Sequence, residues 1–121
     1  MLGVIVFAHG SRDPLWRVPV EAVASRIAQK DSSVGVRCAY LELCEPSLDA
    51  ACIELLAGGA RRIHVLPLFF GMGKHAREDL PELMEELRRK HPEVHFEQLP
   101  TAGEDARLTE LLAEIALELP G

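Results

Sequence analysis

The run LGVIVFA, residues 2–8, is continuously apolar and rich in β-branched residues, and the polar tract HGSRDP, residues 9–14, cuts it off. A strand wetted on one side would alternate apolar with polar residues. Seven residues without a polar break describe a strand buried on both faces, the condition of a central strand in a parallel sheet with helices above and below. Parallel neighbours need crossovers, so long helices should separate the other strands.

The rest of the chain supplies them. Residues 15–29 suit a helix with Val18, Val20, Ala22, Val23 and Ile27 apolar, and Asp13-Pro14 is its start signal. VGVRCAYLEL (34–43) reads as a second strand. EPSLDAACIELLAGGA (45–60) reads as a helix with Pro46 near its first turn and Gly58-Gly59 as its stop. RRIHVLPLFF (61–70) is a third strand, residues 76–90 a third helix ended by HPE, and VHFEQL (94–99) a fourth strand. EDARLTELLAEIALEL (104–119) is an amphipathic helix with Leu108, Leu111, Leu112, Ile115 and Leu119 on one face. The order βαβαβαβα predicts a single α/β domain over residues 1–121, flavodoxin-like, with one four-stranded parallel sheet and helices on both faces. Right-handed crossovers that cover both faces of so short a sheet require one reversal of direction, and strand order 2-1-3-4 provides it.

That order places the loops after strands 1 and 3 side by side at a crevice. His9 and His75 should then face each other, with Glu42 at the carboxyl end of strand 2 beside them. Two imidazoles and a carboxylate suit a divalent transition metal and can move protons near neutral pH. The alternatives are a loop-capping role for His9, a solvated helix start for His75 and a surface carboxylate for Glu42. Gly71 and Gly73 would bend the backbone and hold the crevice mouth open. Arg12, Lys74 and Arg77 add basic groups around the mouth, which suits an anionic ligand. His64, His91 and His95 read as structural, and Arg61 and Arg62 as surface at the opposite end of strand 3.

Several function classes are excluded or disfavoured. The net charge of −6 argues against nucleic acid as a partner. No apolar run approaches a membrane span, and no secretory leader is visible at the N-terminus. Cys38, Cys44 and Cys52 form no CxxC pair, as expected of buried, inert thiols in a reduced cytoplasmic protein. GMGK (71–74) is not a phosphate loop, because Leu68 and His75 stand where the first glycine and the Ser/Thr belong, so ATP dependence is not expected. A histidine phosphatase would carry arginine where Ala8 stands, and the hydrolase motif GxSxG is absent.

VFAHGSRDP (6–14), YLELCEPSLDAA (40–51), GARRIHVLPLFFGMGKHAREDLPEL (59–83) and the following HPEV together resemble the sirohydrochlorin chelatases, in particular the small ATP-independent cobaltochelatases of the CbiX type. The likeness runs from the first strand to about Leu99. It implies insertion of a divalent metal (Co2+, alternatively Fe2+ or Ni2+) into a sirohydrochlorin-type tetrapyrrole, in cobalamin or sirohaem biosynthesis. It implies that His9 and His75 are the metal and catalytic residues and that Glu42 assists. It also implies a homodimer, since long members carry two such domains. Arg12, Lys74 and Arg77 would meet the ring's peripheral carboxylates. A non-catalytic tetrapyrrole or metal carrier of the same fold is the alternative reading.

Overall fold

A computed structural model describes residues 1–118. Leu2–Ala8 forms β1, Gly35–Tyr40 β2, Arg62–Pro67 β3 and His95–Gln98 β4; Val18–Lys30 forms α1, Leu48–Ala57 α2, Lys74–Lys90 α3 and Ala106–Leu117 α4. The strands are all parallel, in the order β2-β1-β3-β4. β1 is central, as its unbroken apolar run requires: Val6 pairs with both Cys38 and Leu66, and Phe7 with both Ala39 and Pro67.

Alternate residues of each strand feed two layers. On one face Ile5, Phe7, Ile63, Val65 and Phe96 pack against Leu48, Cys52 and Leu55 of α2 and Leu80, Met84 and Leu87 of α3. On the other, Val6, Ala8 and Tyr40 pack against Val20, Val23, Ala24 and Ile27 of α1. Ile5, Phe7, Ile63, Leu80 and Met84 are almost wholly enclosed, and each such side chain stabilises the fold by about 1.5–3 kcal/mol.

Element ends differ from the sequence expectation for identifiable reasons. The helix expected over 15–29 is split into a 3-10 turn, Pro14–Arg17, and α1. Pro19 has no N–H to give the Leu15 carbonyl that a continuous helix would leave waiting. Val18 N–H serves that carbonyl instead, and Pro19 falls in the first turn of α1, where its missing donor is harmless. Val18 and Ala22, expected on the buried face, are exposed. Asp13 caps the 3-10 turn, accepting from Leu15 N–H at 2.9 Å. Ser47 caps α2, its Oγ accepting from Ala50 N–H at 3.2 Å.

β2 stops at Tyr40 rather than residue 43, and β3 at Pro67 rather than residue 70. Beyond these points each strand makes one further bond to β1, Leu41 N–H to Ala8 O and Leu68 N–H to Phe7 O, and the next bonds, Glu42 N–H to His9 O and Gly103 N–H to Phe69 O, are to loop residues. α3 begins at Lys74, two residues earlier than expected, with Gly73 as its N-cap. In α4 the expected apolar stripe is present but lies open. Leu111, Leu112, Ile115 and Leu117 are all exposed, and the helix buries no residue. Leu108 and Leu111 only line a shallow depression with Leu66 and Leu68. Leu119 lies outside the described residues.

Candidate functional site

Strand order decides which loops meet. With β1 between β2 and β3, the loop carrying His9 lies between the loop carrying Glu42 and the loop that leads to His75. The first two are fastened by their backbones. Leu41 N–H donates to Ala8 O at 2.9 Å and Glu42 N–H to His9 O at 3.0 Å, so the pairing of β1 with β2 continues past the strand ends. Tyr40 N–H meanwhile donates to Pro46 O, which closes the 41–45 loop back on itself at 2.9 Å.

Gly10 makes this approach possible. Its φ is +108°, and a Cβ there would overlap the Glu42 carbonyl. Sequence reasoning placed the important glycines at Gly71 and Gly73 instead. A Cβ at either would meet nothing within 4 Å, and Gly73 has φ −66°, open to any residue. The available signal was the HG pair itself, a glycine directly after a candidate histidine at the end of a central strand.

On this frame His9 Nε2 stands 3.0 Å from Glu42 Oε1, with both side chains a little over half exposed, at 54% and 55%. The carboxylate fixes the imidazole's orientation. It also leaves Nδ1 as the ring nitrogen not engaged by Glu42, able to bind a metal or accept a proton.

His75 lies on the first turn of α3, exposed, beyond the β3 loop. Among the described residues no three His, Cys, Asp or Glu side chains converge closely enough to hold a metal ion. The structure therefore brings together His9 and Glu42, while His75 sits on the adjoining helix start rather than in ligand range of both. Lys74, His75 and Arg77 crowd the N-terminus of α3, which has no acidic residue in its first turn and no side-chain cap. Positive side chains at the positive end of a helix dipole are unfavourable on their own and become favourable beside an anion. Arg12 is exposed in the β1 loop, where Asp13 N–H donates to Ser11 Oγ at 3.0 Å.

His64 Nε2 lies 3.4 Å from Glu97 on the sheet, and His91 ends α3 against the Phe96 ring. The Arg61 guanidinium donates to the Leu56 and Ala60 carbonyls near the end of α2. The three cysteines are free, but only Cys52 is buried; Cys38 and Cys44, expected to be buried, are half-buried. Burial pushes the Cys52 thiol up to about 11 and raises that of Cys38, which suits unreactive thiols. No helix among the described residues is long and apolar enough to cross a membrane.

Two further features of the mouth were not legible in the sequence. Leu43 sits at φ +68° with its side chain half exposed, a conformation that costs a non-glycine residue roughly 1–3 kcal/mol. Phe70 is 73% exposed, although its backbone is tightly held by the loop around Gly103.

Comparison with known proteins gives a consistent family. The CbiX family profile matches residues 3–119. The sirohydrochlorin cobaltochelatase of Saccharolobus solfataricus is 32% identical over 120 residues, covering 94% of this chain and 92% of that enzyme. The match to the sirohydrochlorin cobaltochelatase of Methanosarcina acetivorans, at 35% identity, spans only 64% of that enzyme and 69% of this chain. Among solved structures, a CbiX protein from Marinobacter aquaeolei VT8 superposes with a TM-score of 0.82 at 30% identity, over 96% of this chain and 94% of that one. The sirohydrochlorin chelatase SirB of Bacillus subtilis subspecies spizizenii, solved with cobalt, shares the fold at a TM-score of 0.79 and 22% identity, but this chain covers 48% of it. A profile match over nearly the whole length, with a parallel sheet in the order 2-1-3-4 carrying the HGS and LEL loops side by side, places the chain in the CbiX family.

Proposed function

We propose that this protein is a chelatase that inserts a divalent metal into sirohydrochlorin without ATP. The observation that carries the reading is the His9–Glu42 pair, 3.0 Å apart at the carboxyl edge of the sheet. Its relatives named as sirohydrochlorin cobaltochelatases support the substrate and favour Co2+ over Fe2+ or Ni2+.

The reaction sets the requirements. A metal ion enters the free-base ring, and two pyrrolic N–H protons leave. His9, through Nδ1, holds the arriving metal or accepts a proton at the ring face. Glu42 stabilises the resulting imidazolium and passes the proton outward. His75 supplies the second imidazole from the start of α3. Arg12, Lys74 and Arg77 receive the ring's peripheral carboxylates, whose charge makes the basic start of α3 favourable. The divalent cation is substrate here, and nothing in the proposed steps needs phosphoryl energy. The three free thiols suit a reducing compartment, and we place the reaction in the cytoplasm.

The deciding experiment is an anaerobic absorbance assay of sirohydrochlorin with Co2+, Fe2+ or Ni2+, with and without protein in sub-stoichiometric amount. Many turnovers per chain are expected, fastest with Co2+. A spectral shift that saturates at one ring per chain, with the metal-insertion rate unchanged, would instead make the protein a carrier.

The chain further acts as a homodimer. The open apolar stripe of α4 supports this, as does its match to about half of the longer SirB chain. Sedimentation should give twice the chain mass. Charges introduced by Leu112→Glu and Ile115→Glu should return it to one. A wild-type monomer at micromolar concentration would remove the dimer from the proposal.

A further inference from the structure

We propose that Leu43 and Phe70 form an apolar platform that receives the flat face of the macrocycle on either side of His9. This inference rests on the function proposed above and adds two residues that position the ring.

Both are large apolar side chains at the crevice mouth that the fold leaves in water. Leu43 is 49% and Phe70 73% exposed. Each stands three residues beyond the end of its strand, β2 and β3 respectively, and β1 with His9 lies between those strands. The carboxyl ends of β2 and β3 are thus separated by two strand spacings, about 10 Å, with the end of β1, which leads into His9, between them.

Neither is exposed because its loop is loose. The 41–45 loop is fastened by the Tyr40, Leu41 and Glu42 amides. Gly103 lies so close to Phe70 that a Cβ would overlap the Phe70 carbonyl, and Gly103 N–H donates to Phe69 O at 2.8 Å. The backbone is fixed and the side chains point away from the core. Leu43 does so from a positive φ that glycine or asparagine would occupy at lower cost. A leucine held in that conformation while half exposed, and outside both core clusters, gains little from packing.

A tetrapyrrole offers a broad apolar face with carboxylates only at its rim. The mouth matches this arrangement, with Leu43 and Phe70 flanking His9, Arg12 on the β1 loop, and Lys74 and Arg77 on the first turn of α3. Binding energy from the platform would hold the ring over the imidazole, so the metal meets it from one defined face.

The test compares wild type with Leu43→Asn, Phe70→Ser and, as a remote exposed apolar control on α2, Ile53→Ser. Three readouts are needed: titration of metal-free sirohydrochlorin by fluorescence quenching, initial rates of metal insertion, and thermal melting. Loss of one contacting apolar face should raise Kd about tenfold for Phe70→Ser and about fivefold for Leu43→Asn. KM should follow, while kcat changes less. Leu43→Asn should melt at or above the wild-type temperature, the opposite of what a structural leucine would do. Ile53→Ser should bind as wild type. If wild type metallates the ring and both platform variants bind it with unchanged Kd, the platform is wrong and the chelatase reading stands. If wild type neither binds nor metallates the ring, the function falls and the platform with it.

Discussion

Alanine at position 9 is expected to lower protein-dependent metal insertion by at least about a hundredfold, with little change in stability. A positioned general base or ligand contributes about 10²–10⁴-fold, and among the described residues His9 is the one histidine paired with a carboxylate at the carboxyl edge of the sheet. Its side chain is half exposed, so truncation leaves no buried cavity. Glu42→Gln keeps the shape but removes the charge that supports the imidazolium. A smaller loss, about 10–100-fold, is expected there. Because Glu42 acts through His9, the double variant His9→Ala/Glu42→Gln should be no worse than His9→Ala alone. His75→Ala separates two arrangements. A loss as large as that of His9→Ala makes His75 a direct ligand, which requires α3 to approach when metal and ring bind. A modest loss confined to KM leaves it among the groups that hold the substrate. Full activity in His9→Ala/His75→Ala with an intact fold would end the proposed mechanism.

The sheet was legible because its strongest signal is physical and local. An unbroken apolar run at 2–8 has one comfortable position, the middle of a parallel sheet, and handedness then fixes the order of the other strands. The neighbourhood of His9 and Glu42 followed from that order without any metal motif. Strand ends were not legible. Residues 41–43 look like strand because they are apolar and charged in alternation, yet the pairing reaches only Glu42 N–H to His9 O, Leu43 turns to a positive φ, and only Leu41 of the three packs on the core. Pro19 was a visible signal whose consequence depended on which carbonyl lost its donor. α4 shows a different limit. Its spacing correctly indicates a face that needs covering, but amphipathicity does not say whether the cover comes from the same chain. The place of His75 relative to His9 depends on how a helix start is aimed, and sequence periodicity carries no information about that.

Gly10→Ala should be the most damaging single methyl addition near the site. At φ +108° an L-residue is strained by about 1–3 kcal/mol. The new Cβ would also overlap the Glu42 carbonyl, which is backbone and cannot rotate aside. Relief requires the β1 and β2 loops to part, breaking the Glu42 N–H to His9 O bond of 3.0 Å. The combined cost is about 3 kcal/mol or more, a fall in Tm of about 10 °C or more for a domain of this size. Activity should drop further than stability alone explains, because the same movement separates His9 from Glu42. Gly71→Ala is the matched comparison. It sits in the next loop, its added methyl meets nothing within 4 Å, and it lacks a positive φ. It should melt at or slightly above the wild-type temperature, since alanine lowers the entropy of the unfolded chain. Equal melting of the two variants would mean that the β1 and β2 loops are not held together as described, and the His9–Glu42 geometry would lose its support. A damaged Gly10→Ala beside an unharmed Gly71→Ala would tie the site to one glycine, the residue that lets two backbones approach closely enough for an imidazole and a carboxylate to work as a pair.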